Sequence, residues 1–300
     1  MNAPALNPAQ LARLLERAES LLGRLETFLP PPAPAVDWSA PAYRWRKSQG
    51  RGWLQPVAKP HPIGLDDIET VDDQKARIVA NTRQFVGGRG ANNVLLTGAR
   101  GCGKSSLVKA VLNEFSDQGL RLIEVDKNDL VDLPDITDLL DGRPEKFIIF
   151  CDDISFEAGE TAYKALKSVL DGSVSAPPDN VLIYATSNRR HLMPEYHAEN
   201  LETQRVDDEI HPGEAVEEKI SLSERFGLWI SFYPFSQDDY LAVYAHWARS
   251  FGVSDKQIAA NEREALNWAL GRGSRSGRVA WQFARDLAGR QKKTARRNRP

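Results

Sequence analysis

Cysteine is scarce in this sequence, with two among 300 residues. That excludes a disulfide framework and leads to the expectation of a reducing, cytoplasmic setting. No apolar run approaches the roughly 20 residues that a membrane-spanning helix requires, so no membrane partner is expected. Met1–Leu15 lacks the continuous apolar segment of a secretory leader. His191, His197 and His211 have no metal-ligand spacing and no cysteine beside them, which argues against zinc. No internal repeat is visible, which sets aside solenoids and propellers. What is present is ordinary for a soluble globular chain, 41% apolar and 27% charged residues, in a length that suits one large domain or two smaller ones. The net charge of −2 is unevenly spread: residues 271–300 hold ten Lys and Arg against one acid, Asp286. A basic end on an acidic body could meet nucleic acid or an acidic partner, or simply form a solvated tail.

The segment Gly98-Ala-Arg-Gly-Cys-Gly-Lys104-Ser105 completes the G-x-x-x-x-G-K-[ST] spacing of a nucleoside-triphosphate P-loop. The apolar run Val94–Leu96 precedes it and a helical pattern from Leu107 follows. Glycines let such a loop wrap closely around phosphate, with backbone N–H groups pointing inward and a helix N-terminus behind them. The expected cofactor-binding set is Gly98, Ala99, Arg100, Gly101, Cys102, Gly103, Lys104, Ser105 and Ser106. Lys104 should reach the β- and γ-phosphates, and the Ser105 hydroxyl should ligate Mg²⁺. Phe147–Cys151 reads as a buried central strand that delivers Asp152 and Asp153 at its C-terminal end, where ligands of open α/β sheets bind. Asp152 is expected to hold Mg²⁺ through water. Asp153 occupies the usual place of a catalytic base, and Glu157, one turn onward, is the alternative. Cys102 and Cys151 read as buried packing near the phosphates, with a redox switch as the competing use.

Along the chain, residues 1–29 form an amphipathic helix capped by Asn7 and Pro8, with Leu11, Leu14, Ala18, Leu21, Leu25 and Phe28 on one seam. This seam is expected to dock on its own domain or on a neighbouring subunit. Residues 30–59 read as a Pro- and aromatic-rich linker arm, whose Trp38, Tyr43, Trp45 and Trp53 could stack on bases but more commonly would pack on the core. Strands are expected at Val94–Thr97, Leu120–Val125, Phe147–Cys151, Val181–Thr186 and Leu228–Phe232, alternating with helices such as Lys104–Phe115 and Tyr163–Leu170. This predicts an α/β domain over 60–234, a parallel sheet with helices on both faces. Ser236 and Asp239 form a capping box, and helices follow at Glu262–Leu270 and Arg278–Leu287, giving a small helical lid over 235–289. A basic tail occupies 290–300. Residues 193–221 form a long acidic segment, either partner-facing or a solvated loop.

These motifs, in this order, resemble the AAA+ ATPase superfamily over about residues 60–290. The resemblance implies a P-loop NTPase core with a helical lid, ATP rather than GTP as the nucleotide, Mg²⁺, ATPase activity and a ring-like homo-oligomer. It further implies that Asn188 serves as sensor 1, that Arg225 is an arginine finger acting in a neighbouring subunit, and that Arg278, with Arg275 as runner-up, contacts the nucleotide from the lid. Arg189 and Arg190 are weaker candidates for the same site. The stretches Ala91–Leu96, Cys151–Glu157, Ala185–Leu192 and Ser274–Arg278 more closely resemble a bacterial family of AAA+ ATPases labelled a domain of unknown function. Two departures from the superfamily pattern stand out, Cys102 where many P-loops carry Thr and Asp153 where Glu is usual. Asp is one methylene shorter, which bears on how fast hydrolysis runs. The expected functions are a ring-forming ATPase that remodels a protein or nucleic-acid partner, a slow ATP-dependent assembly switch, or a DNA-associated loader or initiator.

Overall fold

The computed structural model describes residues 7–26, 35–156, 161–172, 178–188, 204–206, 209–211 and 224–297. Their strands are β1 (Ala42–Ser48), β2 (Arg51–Pro56), β3 (Val94–Gly98), β4 (Leu120–Val125), β5 (Lys146–Cys151), β6 (Val181–Ser187), β7 (Gln204–Val206), β8 (Glu209–His211) and β9 (Leu228–Phe232). The helices are α1 (Pro8–Glu26), α2 (Asp72–Val86), α3 (Lys104–Phe115), α4 (Leu133–Leu140), α5 (Thr161–Asp171), α6 (Gln237–Ser250), α7 (Asp255–Ala260), α8 (Glu262–Gly271) and α9 (Gly277–Arg297).

Seven strands form one sheet in the order β2-β1-β4-β5-β6-β3-β9, parallel except for the β1–β2 pair. Side chains alternate across it with the period of two that a strand imposes. On β5, Phe147, Ile149 and Cys151 enter one core with α4 and α5, whereas Ile148 and Phe150 enter the other with α2 and α3. Both faces are therefore covered, as parallel strands require. The sheet and its helical lid are the α/β P-loop class that the motifs imply.

The arm over 30–59 requires correction. Its residues supply β1 and β2, so the sheet begins at Ala42 instead of near residue 60. Gln49 and Gly50 both have positive φ, 49° and 77°, the backbone of a two-residue hairpin whose twist matches its strands. β1 then pairs parallel with β4, Tyr43 opposite Ile123. The aromatics serve packing: Tyr43 and Trp45 are buried, and the Trp45 indole donates to Asp132 at 3.0 Å. Trp38 packs edge-on against Phe147 with the Arg143 guanidinium over its ring.

The lid has its own core, in which Tyr240, Tyr244 and Phe283 are fully buried. Each such side chain contributes about 1.5–3 kcal/mol relative to exposure. The capping box is present, Ser236 accepting from the Asp239 amide at 3.1 Å and donating to its carboxylate at 2.7 Å. α9 continues through Arg297, so most of the expected tail extends the lid helix. Arg290 is engaged there by Glu264 and Asp286. Within the acidic segment, β7 and β8 pair as a short antiparallel hairpin. At the other end, Asn7 caps α1 by accepting from Ala9, and Leu11, Leu14, Leu15, Leu21 and Leu22 are exposed, so this seam does not dock on its own domain among the described residues.

Candidate functional site

The loop between β3 and α3 is built on three glycines with positive φ: Gly98 at 130°, Gly101 at 77° and Gly103 at 95°. Only glycine reaches these regions without strain. At Gly98 the reason is also spatial, since a Cβ would lie 1.9 Å from the Phe232 carbonyl oxygen. Lys104 opens α3 and is 5% exposed. Its three ammonium protons go to Gly98 O at 2.7 Å, Ala99 O at 2.8 Å and Asn188 Oδ1 at 3.0 Å. Burial holds its pKa below the ordinary 10.5, against the pull of nearby Asp153 and Asp152.

Because β6 lies between β3 and β5, the ends of these three strands converge. Ser105 Oγ donates to Asp152 Oδ1 at 2.6 Å. Thr186 Oγ1 donates to the same oxygen at 2.6 Å and accepts the Asp153 amide at 2.8 Å. The Asn188 amide donates to Asp153 Oδ1, and the Arg100 guanidinium lies 3.4 Å from Asp153 Oδ2. Thus one chain of contacts runs Lys104–Asn188–Asp153–Arg100. Both cysteines are buried, and burial pushes their thiols up, Cys151 to about 12, which leaves them in the inert protonated form.

These groups border a cleft of about 650 Å³ between the sheet and the lid. Arg100 through Ser106, Asp152, Asp153, Asn188 and Arg278 all line it. Gly98 and Ala99 lie behind it, holding Lys104 through their carbonyls. Arg225 does not line it, and its guanidinium is bound to Asp171 of the same chain. Arg275 is exposed and is also absent from the lining. Glu157, Arg189, Arg190, His191 and His197 lie outside the described residues.

No motif marks the cleft's apolar end. Ile63 and Ile68 come from the segment before α2, and Phe235, Val243, Trp247 and Trp281 come from the lid. His246 of α6 ties the two together, Nε2 lying 3.1 Å from Asp67 and Nδ1 3.2 Å from Glu69. The lid also meets the loop itself, because the Gly277 amide donates to Gly101 O at 2.9 Å.

Ser105 and Asp152 offer a joined pair of hard oxygen donors, which suits Mg²⁺ held together with phosphate oxygens. Among the described residues, no group of three or more His, Cys, Asp or Glu could hold a metal without such help.

Residues 38–291 match the family described as "Protein of unknown function (DUF815)". The chain belongs to that family. Among solved structures, this DUF815 chain is similar to the Thermotoga maritima RuvB Holliday junction branch migration motor, at 17% identity and a TM-score of 0.47, covering 75% of this chain and 63% of that one. It is also similar to a DNA replication initiation factor, at 12% identity and a TM-score of 0.44, covering 77% of this chain and 63% of that one. The DUF815 chain therefore spans less than two thirds of those structures' own length. No curated protein matches it in sequence. Among its described residues, no helix is long and apolar enough to cross a membrane.

Proposed function

We propose that this DUF815 protein binds Mg-ATP in the cleft between sheet and lid and hydrolyses it, coupling each state to the position of the lid against the core. The observation that carries this reading is the meeting of Lys104, Ser105, Asp152, Asp153 and Asn188 in one cleft that Arg278 borders from the lid. Lys104 would exchange its bonds to loop carbonyls for the β- and γ-phosphates, regaining compensation for its buried charge. The Ser105 hydroxyl, its proton directed at Asp152, keeps a lone pair for the cation, while Asp152 orients the cation's shell. Bound Mg²⁺ would neutralise charge developing on the phosphoryl oxygens. Asp153 would accept the proton of the attacking water, with Asn188 orienting that water. Arg278 would report the nucleotide to the lid. The apolar end between Ile68 and Trp247 suits a base, and adenine follows from the family resemblance.

The reading extends to a homo-oligomer in which Arg225 leaves Asp171 and enters a neighbouring subunit's cleft, with a protein partner receiving the lid movement. A slow switch is the second reading. It is favoured by Asp153, whose two carboxylate oxygens are both engaged, by Asn188 and by Arg100. A base so held must be released before it can take a proton. Nucleic-acid binding through the basic end of α9 is a third use, supported by charge alone. Steady-state turnover combined with mass measurement, with and without ATP, tests these readings. Rapid turnover in an ATP-assembled ring supports the first, and ATP-dependent assembly with turnover slower than disassembly supports the second. Absence of ATP binding overturns both.

A further inference from the structure

We infer that Thr186 is a positioning residue that sets the geometry of both acidic groups at once, the carboxylate that faces the cation and the one that faces the water. The inference rests on the Mg-nucleotide reading of the cleft and deepens it.

Thr186 is 1% exposed and lies on β6, one residue past the last registered pair of the β5–β6 ladder, Cys151 with Ala185. There β5 ends and the chain turns, with Asp153 at φ 52°. A left-handed backbone is uncommon for a residue other than glycine, although aspartate tolerates it better than most. Three hydrogen bonds from Thr186 hold this turn. Its hydroxyl accepts the Asp153 amide at 2.8 Å, its carbonyl accepts the Ile154 amide at 2.8 Å, and its hydroxyl proton goes to Asp152 Oδ1 at 2.6 Å. The direction is unambiguous, because an amide N–H can only donate and a hydroxyl has one proton to give.

Asp152 Oδ1 consequently receives two hydroxyls, those of Ser105 and Thr186. That fixes the plane of the carboxylate before any cation arrives. The same hydroxyl fixes the backbone from which the Asp153 side chain springs. Valine would fill the space of Thr186 and could make neither side-chain bond, whereas serine could make both. Partners that orient metal-facing ligands act through those ligands, and their loss is felt in metal dependence more than in fold.

The test uses the full chain with Thr186→Val and Thr186→Ser. Calorimetry measures ADP affinity with and without Mg²⁺, and single-turnover ATP hydrolysis is followed in parallel. Thr186→Val should leave metal-free ADP affinity within about twofold of wild type, while the gain in affinity conferred by Mg²⁺ and the single-turnover rate each fall roughly tenfold to a hundredfold. Thr186→Ser should restore both to within about threefold. Wild-type Mg²⁺ dependence in Thr186→Val overturns the inference. So does a Thr186→Ser variant as impaired as Thr186→Val, because the methyl group would then be what matters. If Thr186→Val fails to fold, Thr186→Ala takes its place with the same expected losses and the same comparison with serine. A wild-type chain with no affinity for ADP or ATP, with or without Mg²⁺, would instead sink the nucleotide reading itself.

Discussion

The Lys104 ammonium donates to Asn188 Oδ1 at 3.0 Å, so the cation of the phosphate loop and the polar residue at the end of β6 are in contact before any nucleotide arrives. The other end of the same amide holds Asp153. On the proposed reading, the group that meets phosphate and the group that meets water therefore share one side chain.

Lys104→Ala is expected to abolish tight ATP binding in a calorimetric titration with Mg²⁺, because the loop then loses its buried cation. An unchanged dissociation constant would remove the P-loop reading. Wild-type Lys104 also carries a pH signature. Its folded pKa is depressed by burial, so its contribution to stability is fully present above the ordinary 10.5 and is lost as pH falls through the lowered value. At neutral pH the charged lysine costs the free protein stability, and phosphate would offset that cost. ATP binding just below pH 10.5 should therefore take up protons. Titrations in two buffers of different ionisation enthalpy should show it, and the uptake should vanish in Lys104→Ala.

The two aspartates should separate in their effects. Asp152→Asn is expected to raise the Mg²⁺ concentration needed for half-maximal turnover. Asp153→Asn should leave ATP binding intact and slow the single-turnover step by roughly 10²–10⁴-fold, the usual contribution of a general base. Asp153→Glu should preserve or raise the rate. If Glu157→Gln stops the reaction while Asp153→Asn does not, the base is Glu157.

Two loop glycines make a graded test of backbone against space. Gly98→Ala places a Cβ 1.9 Å from the Phe232 carbonyl oxygen, in the rung that pairs β3 with β9. The ladder must open, at a cost of about 3 kcal/mol or more. Gly103→Ala meets nothing within 4 Å and bears only its φ of 95°, which costs about 1–2 kcal/mol. Urea denaturation of both variants should give that order, and the reverse order would contradict the packing described at Gly98.

Arg225 is bound to Asp171 in its own chain. If the guanidinium serves a neighbouring subunit, Asp171→Asn should release it and raise turnover at concentrations where the protein oligomerises. Arg225→Ala should lower turnover there by roughly 10³-fold or more, as loss of a finger does. Adding Lys104→Ala chains, which still carry Arg225, should partly rescue Arg225→Ala. Equal, small effects of both single variants on melting and none on turnover would make the pair purely structural.

The phosphate loop and strands β3, β4, β5, β6 and β9 were legible because each carries its signal locally, as fixed spacing or as a short apolar run. β1 and β2 were not. Buried Tyr43 and Trp45 alternate with exposed Arg44 and Arg46, a half-covered strand that reads equally well as a basic aromatic arm. α2 was obscured because two of its four buried positions are polar, Asn81 and Thr82, which bond the Tyr184 hydroxyl at 3.1 and 2.8 Å. The apolar end of the cleft had no motif to find, since Ile68 and Trp247 meet only in three dimensions. Thr186 was passed over for a different reason. It lies within a recognised strand, and only its neighbours reveal what its hydroxyl does.

The hydrogen bond from Gly277 to Gly101 makes α9 a rod whose fulcrum rests on the phosphate loop. Twenty-one residues span about 30 Å. A tilt of about 10° at the fulcrum sweeps the far end through about 5 Å. That far end is where the sequence gathers Lys292, Lys293, Arg296 and Arg297. If lid movement tilts α9 in this way, a partner resting there would be displaced by several ångströms without ever touching the cleft.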